Sequence, residues 1–261
     1  MTKIYYFSGT GNSLWSANQI AHGITASHPD EICRVFDIGI EARKKNIVIE
    51  ADSVVFVFPS YAYGLPLIVR RFTKNASFNT RYFAAFVTYG SSPLGTLGIL
   101  NRILKKKKIG KMYFGKIPSV ENYLAIFGPP DEKLMNERLS MQEKATEEAV
   151  NVVLRQITNK VNTFCPFSSF VSCLFSIGIK IFYRFYKVSG DCNGCGICAI
   201  TCPVGAVEIK NGKPVFLKNC EHCQGCVNMC PLRVIKFGRV KFGTRGYRHP
   251  KIDISQLTRQ T

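Results

Sequence analysis

The sequence predicts a doubly wound α/β domain, with a parallel sheet ordered 2-1-3-4-5, followed by a small α+β domain organised around metal clusters. Three observations carry that expectation. Apolar strands alternate with amphipathic helices five times over residues 1–161, a loop of glycines and hydroxyls joins the first strand to the first helix, and eight of the eleven cysteines fall into two copies of one phrase. Strand–helix alternation buries a parallel sheet between two helical layers, and its ligand sits beyond the strand ends, where the order reverses between strands 1 and 3.

Residues 4–7 read as a short apolar strand, and Ser8-Gly9-Thr10-Gly11-Asn12-Ser13 follows directly before a helix with Leu14, Ala17, Ile20 and Ala21 on one face. Gly23 is expected to end that helix. Residues 33–38 form a second strand. Residues 54–58, Val-Val-Phe-Val-Phe, are an unbroken apolar run of the kind buried on both faces of a parallel sheet. Pro59-Ser60-Tyr61-Ala62-Tyr63-Gly64 leads from it, through Pro66, into a helix reaching Phe72. Residues 82–88 are the fourth strand, ending in Thr88-Tyr89-Gly90-Ser91 ahead of a helix through Leu104. Residues 111–117 supply the fifth. A long closing helix covers residues 131–161, with Ala145, Ala149, Val153 and Ile157 at i+4 steps.

The loop after the first strand is an anion site, because its N–H groups, its hydroxyls and a helix dipole converge on one point. Its residue order is neither a dinucleotide fingerprint nor a Walker loop, since no lysine follows the glycines. It resembles the flavodoxin phosphate loop, which holds the 5′-phosphate of FMN without a basic side chain. By that resemblance Ser8, Gly9, Thr10, Gly11, Asn12 and Ser13 are FMN contacts. The loop after the third strand resembles the one that supplies an aromatic ring and a peptide to the flavin. That implies contacts from Pro59, Ser60, Tyr61, Ala62, Tyr63 and Gly64, with the stacking tyrosine left open. The loop after the fourth strand resembles the one at the pyrimidine edge, implying Thr88, Tyr89, Gly90 and Ser91. Trp15 is expected to be packing. His22, His28, His222 and His249 show no ligand spacing, and none is assigned a metal.

The cysteine phrases are Cys192-x-x-Cys195-x-x-Cys198-x-x-x-Cys202-Pro203 and Cys220-x-x-Cys223-x-x-Cys226-x-x-x-Cys230-Pro231. Three thiolates at two-residue spacing let one turn wrap three corners of an Fe4S4 cube, while the fourth, before proline, reaches a second cube. Interlocked sets are therefore expected: Cys192, Cys195, Cys198 and Cys230 on one cluster, and Cys220, Cys223, Cys226 and Cys202 on the other. Gly194, Gly196 and Gly225 are expected in the turns, where positive φ and close N–H approach are needed. A zinc ribbon would leave the third cysteine of each triplet idle, and disulfides would need an oxidising compartment. Cys33, Cys165 and Cys173 are left over and are expected to be small buried hydrophobes.

Residues 188–238 closely resemble the bacterial ferredoxin with two [4Fe-4S] clusters. Over its whole length, including Tyr247-Arg248-His249-Pro250, the chain resembles flavodoxin–ferredoxin fusion proteins of anaerobic bacteria. The expected organisation is a flavodoxin-like FMN-binding domain (1–161), an apolar helical linker (162–187), the ferredoxin domain (188–238) and a basic tail (239–261). Residues 118–130 depart from short flavodoxins, and Glu121-Asn122-Tyr123 is expected over the flavin or toward the clusters.

The chain of 261 residues carries a formal charge of +18. Two oxidised clusters and a flavin phosphate would bring this to about +12. Seven cations and no acid lie in residues 102–116, and eight cations against Asp253 alone in residues 233–261. This suggests a redox partner protein with an acidic docking face. No recognition helix or aromatic-basic motif points to nucleic acid. The start offers only four apolar residues before Ser8, too few for a secretory signal, so a cytoplasmic, anaerobic setting is expected. The largely apolar stretch 164–179 has two readings: a helix gluing the domains together, which is preferred, or an interfacial membrane helix. The expected function is electron transfer between two [4Fe-4S] clusters and FMN, linking an external donor and acceptor. The alternative is an FMN-dependent reductase of a small organic acceptor fed by the clusters, for which no committed acid–base pair is evident.

Overall fold

The computed structural model describes residues 1–161 and 165–258. The beginning of the expected linker, residues 162–164, and the end of the tail, residues 259–261, lie outside them. Strand β1 (Thr2–Tyr6) leads into α1 (Asn12–Ser27), then β2 (Cys33–Asp37), the single turn α2 (Ile38–Glu41), β3 (Val48–Glu50) and β4 (Ser53–Pro59). Next come α3 (Leu67–Asn75), β5 (Ser77–Asn79), β6 (Tyr82–Tyr89), α4 (Thr96–Leu104) and β7 (Lys111–Pro118). The five-stranded sheet runs β2-β1-β4-β6-β7, parallel throughout. With the short β3–β5 pair set aside, this is the expected 2-1-3-4-5 order of a flavodoxin-like fold.

Both faces of this sheet are buried. Tyr5, Phe7, Phe56, Phe58, Phe72 and Phe83 pack on one side, and Ile4, Tyr6, Val55, Val57, Phe86 and Val153 on the other. Each fully buried large side chain contributes about 1.5–3 kcal/mol, so the uninterrupted run in β4 fixes that strand at the centre. The short α5 (Leu124–Phe127) and long α6 (Glu132–Leu154) follow, the latter N-capped by Asp131, whose carboxylate accepts from the N–H groups of Lys133 (3.0 Å) and Leu134 (3.1 Å). It stops earlier than the apolar spacing suggested: Ile157 lies beyond its end, where its carbonyl accepts from the Tyr82 hydroxyl at 2.9 Å.

Gly23 does not end α1, which continues to Ser27. A Cβ there would stand 2.7 Å from both Val150 methyls on α6. The residue is small because two helices meet at it.

Helix α7 (Pro166–Phe182) crosses to the second domain, whose first strand is β8 (Lys187–Val188). There α8 (Ile197–Ile200), the β9–β10 hairpin (Val207–Lys210 and Lys213–Phe216), α9 (Gly225–Met229) and β11 (Ile235–Lys236) follow in order. Strands β8 and β11 pair antiparallel, as do β9 and β10. This domain's own core joins Tyr186, Val207, Val227, Val234, Ile235 and Val240, and Leu124 of α5 is built into it.

The last stretch folds back over the first domain. Tyr247, His249, Ile252 and Leu257 are buried, and Ile252 and Leu257 belong to the same core as α1 and α6. His249 stacks on Trp15 (centroids 4.9 Å apart), and Asp253 closes a capping box on the 3-10 turn Ile254–Leu257. Arg248 and Lys251 stay exposed between these anchors.

Candidate functional site

The loop between β1 and α1 is tied down from three directions. Ser8 Oγ accepts from the Gly11 N–H at 3.0 Å, Ser13 Oγ shares a hydrogen bond with Thr88 Oγ1 at 2.8 Å, and Thr10 Oγ1 accepts from the Asn122 side chain. Gly11 begins α1 in the left-handed region (φ 101°) with no side-chain cap, so the first N–H groups of the helix remain for an anion. Asn12 is held on both sides: its Nδ2 donates to the Val120 carbonyl (3.0 Å) and its Oδ1 accepts from the Tyr247 hydroxyl (2.6 Å). Its side chain therefore positions the loop.

Beside this loop lies a cavity of about 460 Å³, within the range of small-molecule sites. Ser8, Gly9, Thr10, Asn12, Ser13, Pro59, Ser60, Tyr61, Ala62, Tyr63, Thr88, Tyr89, Gly90 and Ser91 all line it. Gly11 and Gly64 do not. Gly11 backs onto His249 and Ile252, and Gly64 onto Ser172 of α7, whose hydroxyl would lie 1.9 Å from a Cβ. The turn at the end of β4 is closed by Tyr61–Gly64 backbone bonds of 3.0 and 2.9 Å, with Ala62 and Tyr63 both at positive φ (46° and 60°). Two non-glycine residues there store strain in the segment facing the cavity. Tyr61 is set edge-on to Phe7, and burial, then Cys223, Glu221, Cys220 and Glu121, hold its hydroxyl well above the ordinary value.

Several lining residues come from outside those loops. Glu121, Asn122 and Tyr123 form one wall, as the departure at 118–130 suggested, and Ile126 and Phe127 extend it. Val171, Phe175 and Phe182 of α7 close another side, and His222 and Cys223 close the last. His222 bonds to the hydroxyls of Tyr123 (Nε2, 2.8 Å) and Tyr186 (Nδ1, 3.0 Å), and burial pulls it down to about 4. No sequence spacing signalled it.

The cysteines gather across the two phrases. Cys192, Cys195, Cys198 and Cys230 line one small cavity with Ile209, Pro214, Val234 and Ile235. Burial, then Cys195, Cys230 and Cys192, push the Cys198 thiol up to about 12. Cys226 is held well above the ordinary thiol value by burial, with Cys223, Cys220 and Cys202 as its largest charged neighbours. Each set thus draws its fourth member from the other phrase. Buried thiols raised in this way stay protonated unless a metal centre takes the proton's place, so the donor sets fit cationic iron. Among the described residues no three His, Cys, Asp or Glu side chains meet as a single-ion site requires. Amide N–H groups reach sulfur at Cys202 (from Ala206, 3.1 Å) and Cys220 (from His222, 3.3 Å).

The turn residues depart from expectation in the second phrase. Gly194 and Gly196 have φ of 71° and 76°, but the matching positions after Cys220 are His222 and Gln224, at 55° and 60°. Gly225 serves close approach instead, since its Cβ would lie 2.9 Å from the Gly9 carbonyl. A Cβ on Gly9 would in turn meet the Cys223 Cβ at 3.0 Å and its Sγ at 3.2 Å. The phosphate-type loop and one cysteine loop are in van der Waals contact. Of the leftover cysteines, Cys173 is exposed on α7, and Cys33 and Cys165 are half-buried, so the expectation of buried packing fails most clearly at Cys173.

Residues 185–208 match the 4Fe-4S binding domain family. The ferredoxin-like protein in nif region of Sinorhizobium fredii (strain NBRC 101917 / NGR234) is 34% identical over 55 residues, 18% of this chain and 86% of that protein. The chain belongs to the ferredoxin-like family. Joined to the sheet described above, this ferredoxin module makes the whole a fusion of a flavodoxin-like and a ferredoxin domain. Among solved structures, the azoreductase from Bacillus anthracis str. Sterne is 11% identical with a TM-score of 0.41, covering 59% of the fusion protein and 100% of that chain. A flavodoxin from the domain Archaea is 16% identical with a TM-score of 0.32, covering 58% and 99%. The FMN-dependent NADH-azoreductase from Bacillus anthracis str. Ames Ancestor in complex with FMN is 7% identical with a TM-score of 0.42, covering 59% and 99%. At these scores the likenesses carry no argument of their own, and the fold assignment rests on the strand order.

Proposed function

We propose that the fusion protein is an electron carrier. FMN is held by the loops after β1, β4 and β6, and two [4Fe-4S] clusters are held by the crossed cysteine sets. The clusters supply single-electron exchange, and the flavin supplies exchange of one or two electrons. The chain's own contribution is placement. Ser8, Thr10, Ser13 and the start of α1 present N–H and hydroxyl groups to a phosphate. Tyr61 and Tyr63 offer aromatic faces, and Phe175 and Phe182 shield the cavity from water. The observation that carries this reading is the contact of Gly9 with Cys223, which joins the flavin-type loop to a cluster-type loop with no residue between.

The test is anaerobic reconstitution followed by iron, sulfide and flavin assay. About eight iron and one FMN per chain are expected. An iron-loaded sample that takes up no FMN would defeat the proposal.

A second reading, reductase activity toward a small organic acceptor, draws on the apolar wall of Ile126, Phe127, Val171, Phe175 and Phe182 beside the polar loops. Tyr123, its hydroxyl bonded to His222 and pushed up by burial to about 12, is the proton donor next to that wall that we assign to this reading. Turnover of quinones, nitro compounds and enones by prereduced protein decides it; zero turnover across the panel leaves the carrier role alone.

A further inference from the structure

Helix α7 packs on both domains, and one apolar face of it is left uncovered. Its inner face packs on the flavodoxin-like domain through small or fitted side chains. Ser168 and Ser172 are buried against Gly95 and Gly64, and Ile179 is buried with them. Phe170, Leu174, Ile177, Ile181 and Phe185 point the other way, and Phe167, beside the Tyr63 ring (centroids 6.0 Å apart), begins the row; each is 51–64% exposed. Their spacing of three and four residues draws a single stripe along the helix and the 3-10 turn that continues it, Tyr183–Phe185. Ile126 and Phe127, 73% and 55% exposed, add two more apolar side chains at the rim of the cavity. A contiguous apolar surface of this extent on a water-facing helix marks an interaction site.

The charge around the stripe says what covers it. Between Glu148 and Asp191 the chain has five cations and no carboxylate. Three of them, Lys180, Arg184 and Lys187, are exposed at the C-terminal end of the stripe. A second copy would bring no carboxylate from the same stretch to these cations, and its chain is likewise at +18. An apolar stripe edged by lysine and arginine fits the headgroup region of an anionic bilayer, with the cations at the phosphates and the rings below them. By length and composition Pro166–Phe185 is long and apolar enough to cross a membrane. However, its serine face is committed to protein, so the helix lies in the plane of the surface.

We propose that α7 docks the protein on an anionic lipid surface. In that pose the cavity wall formed by Val171, Phe175 and Phe182 backs directly onto the membrane. The inference holds whether or not the cavity carries flavin.

The test is flotation of the full-length, cluster-loaded protein at physiological salt with phosphatidylcholine vesicles, with and without phosphatidylglycerol. Wild type is expected to float with the anionic vesicles and to partition on the order of 100-fold less onto phosphatidylcholine alone, three cations being lost from the attraction. The triple variant Phe170→Ser, Leu174→Ser, Ile177→Ser changes only outward side chains. It should keep the visible absorption of the clusters and the elution volume of a folded monomer while losing flotation. Lys180→Gln with Arg184→Gln and Lys187→Gln should lose the anionic preference alone. Three results would overturn the proposal: wild type remaining at the bottom with anionic vesicles, the serine variant floating equally well, or a wild-type dimer that the serine variant converts to monomer without either binding lipid.

Discussion

Replacing Tyr247 with phenylalanine tests whether the C-terminal stretch is part of the cofactor site. The ring would keep its place, and only the hydroxyl that donates to Asn12 Oδ1 at 2.6 Å would be lost. Both partners are buried, at 3% and 6% exposure. Asn12 cannot turn to find another donor, because its Nδ2 is bonded to the Val120 carbonyl. Leaving a buried oxygen without a partner costs about 1–3 kcal/mol, and a chain of this size loses about 2–4 °C per kcal/mol. The expected fall in Tm is therefore about 2–12 °C, with weaker FMN binding because the same asparagine sets the start of α1. Anaerobic thermal unfolding followed by circular dichroism, with a parallel flavin-fluorescence titration, measures both. Lys251→Met is the control, since its ion pair with Glu143 is solvent-exposed and worth about 0–1 kcal/mol. A Tyr247→Phe protein that melts within 1 °C of wild type and binds FMN equally well would refute the reasoning.

Gly23→Leu should cost about 1–3 kcal/mol by wedging α1 from α6, and most of the loss should return in the double variant with Val150→Ala; additive losses in a denaturant series would contradict the close-approach reading. His249 is buried and held near pH 4 by burial and by Lys251, so below its unfolded value of about 6.5 the unfolded chain takes up a proton that the folded chain refuses. Its contribution is complete above about pH 6.5 and is lost as pH falls toward 4, by about 3 kcal/mol. The stability difference between wild type and His249→Phe should show that slope, and an unchanged difference would exclude it. The difference is the readout because Glu221, raised by burial to about 7, contributes a slope of the opposite sign. On the proposed ligand sets, Cys202→Ser should perturb the cluster of Cys220, Cys223 and Cys226 and spare that of its own phrase. Low-temperature electron paramagnetic resonance, compared with Cys198→Ser, reads which cluster changes.

The sheet was legible because its central strands are buried on both faces, and a run such as Val54 to Phe58 permits no other environment. The cysteine sets were legible because ligand spacing is a local, almost rigid constraint. Contacts distant along the chain were not. Gly23 looked like a helix terminus, and only the position of Val150 reveals it as a crossing point. His222 and Gln224 hold backbone conformations that composition assigns to glycine, their side chains being bound to Tyr186 and to each other within the fold. The final segment read as a basic tail because Arg245, Arg248 and Lys251 dominate its composition. Its anchors Tyr247, His249, Ile252 and Leu257 follow no helix or strand period. Helix α7 was recognised as apolar, but which of its faces would meet protein depended on glycines 64 and 95, a hundred and more residues earlier in one case.

The bond between Asn12 and Tyr247 spans 235 positions. During synthesis Asn12 emerges long before its partner Tyr247, so this hydrogen bond closes only after both cysteine phrases, residues 192–230, have been made. A nascent or prematurely released chain would thus be poorly fitted to keep a reactive flavin.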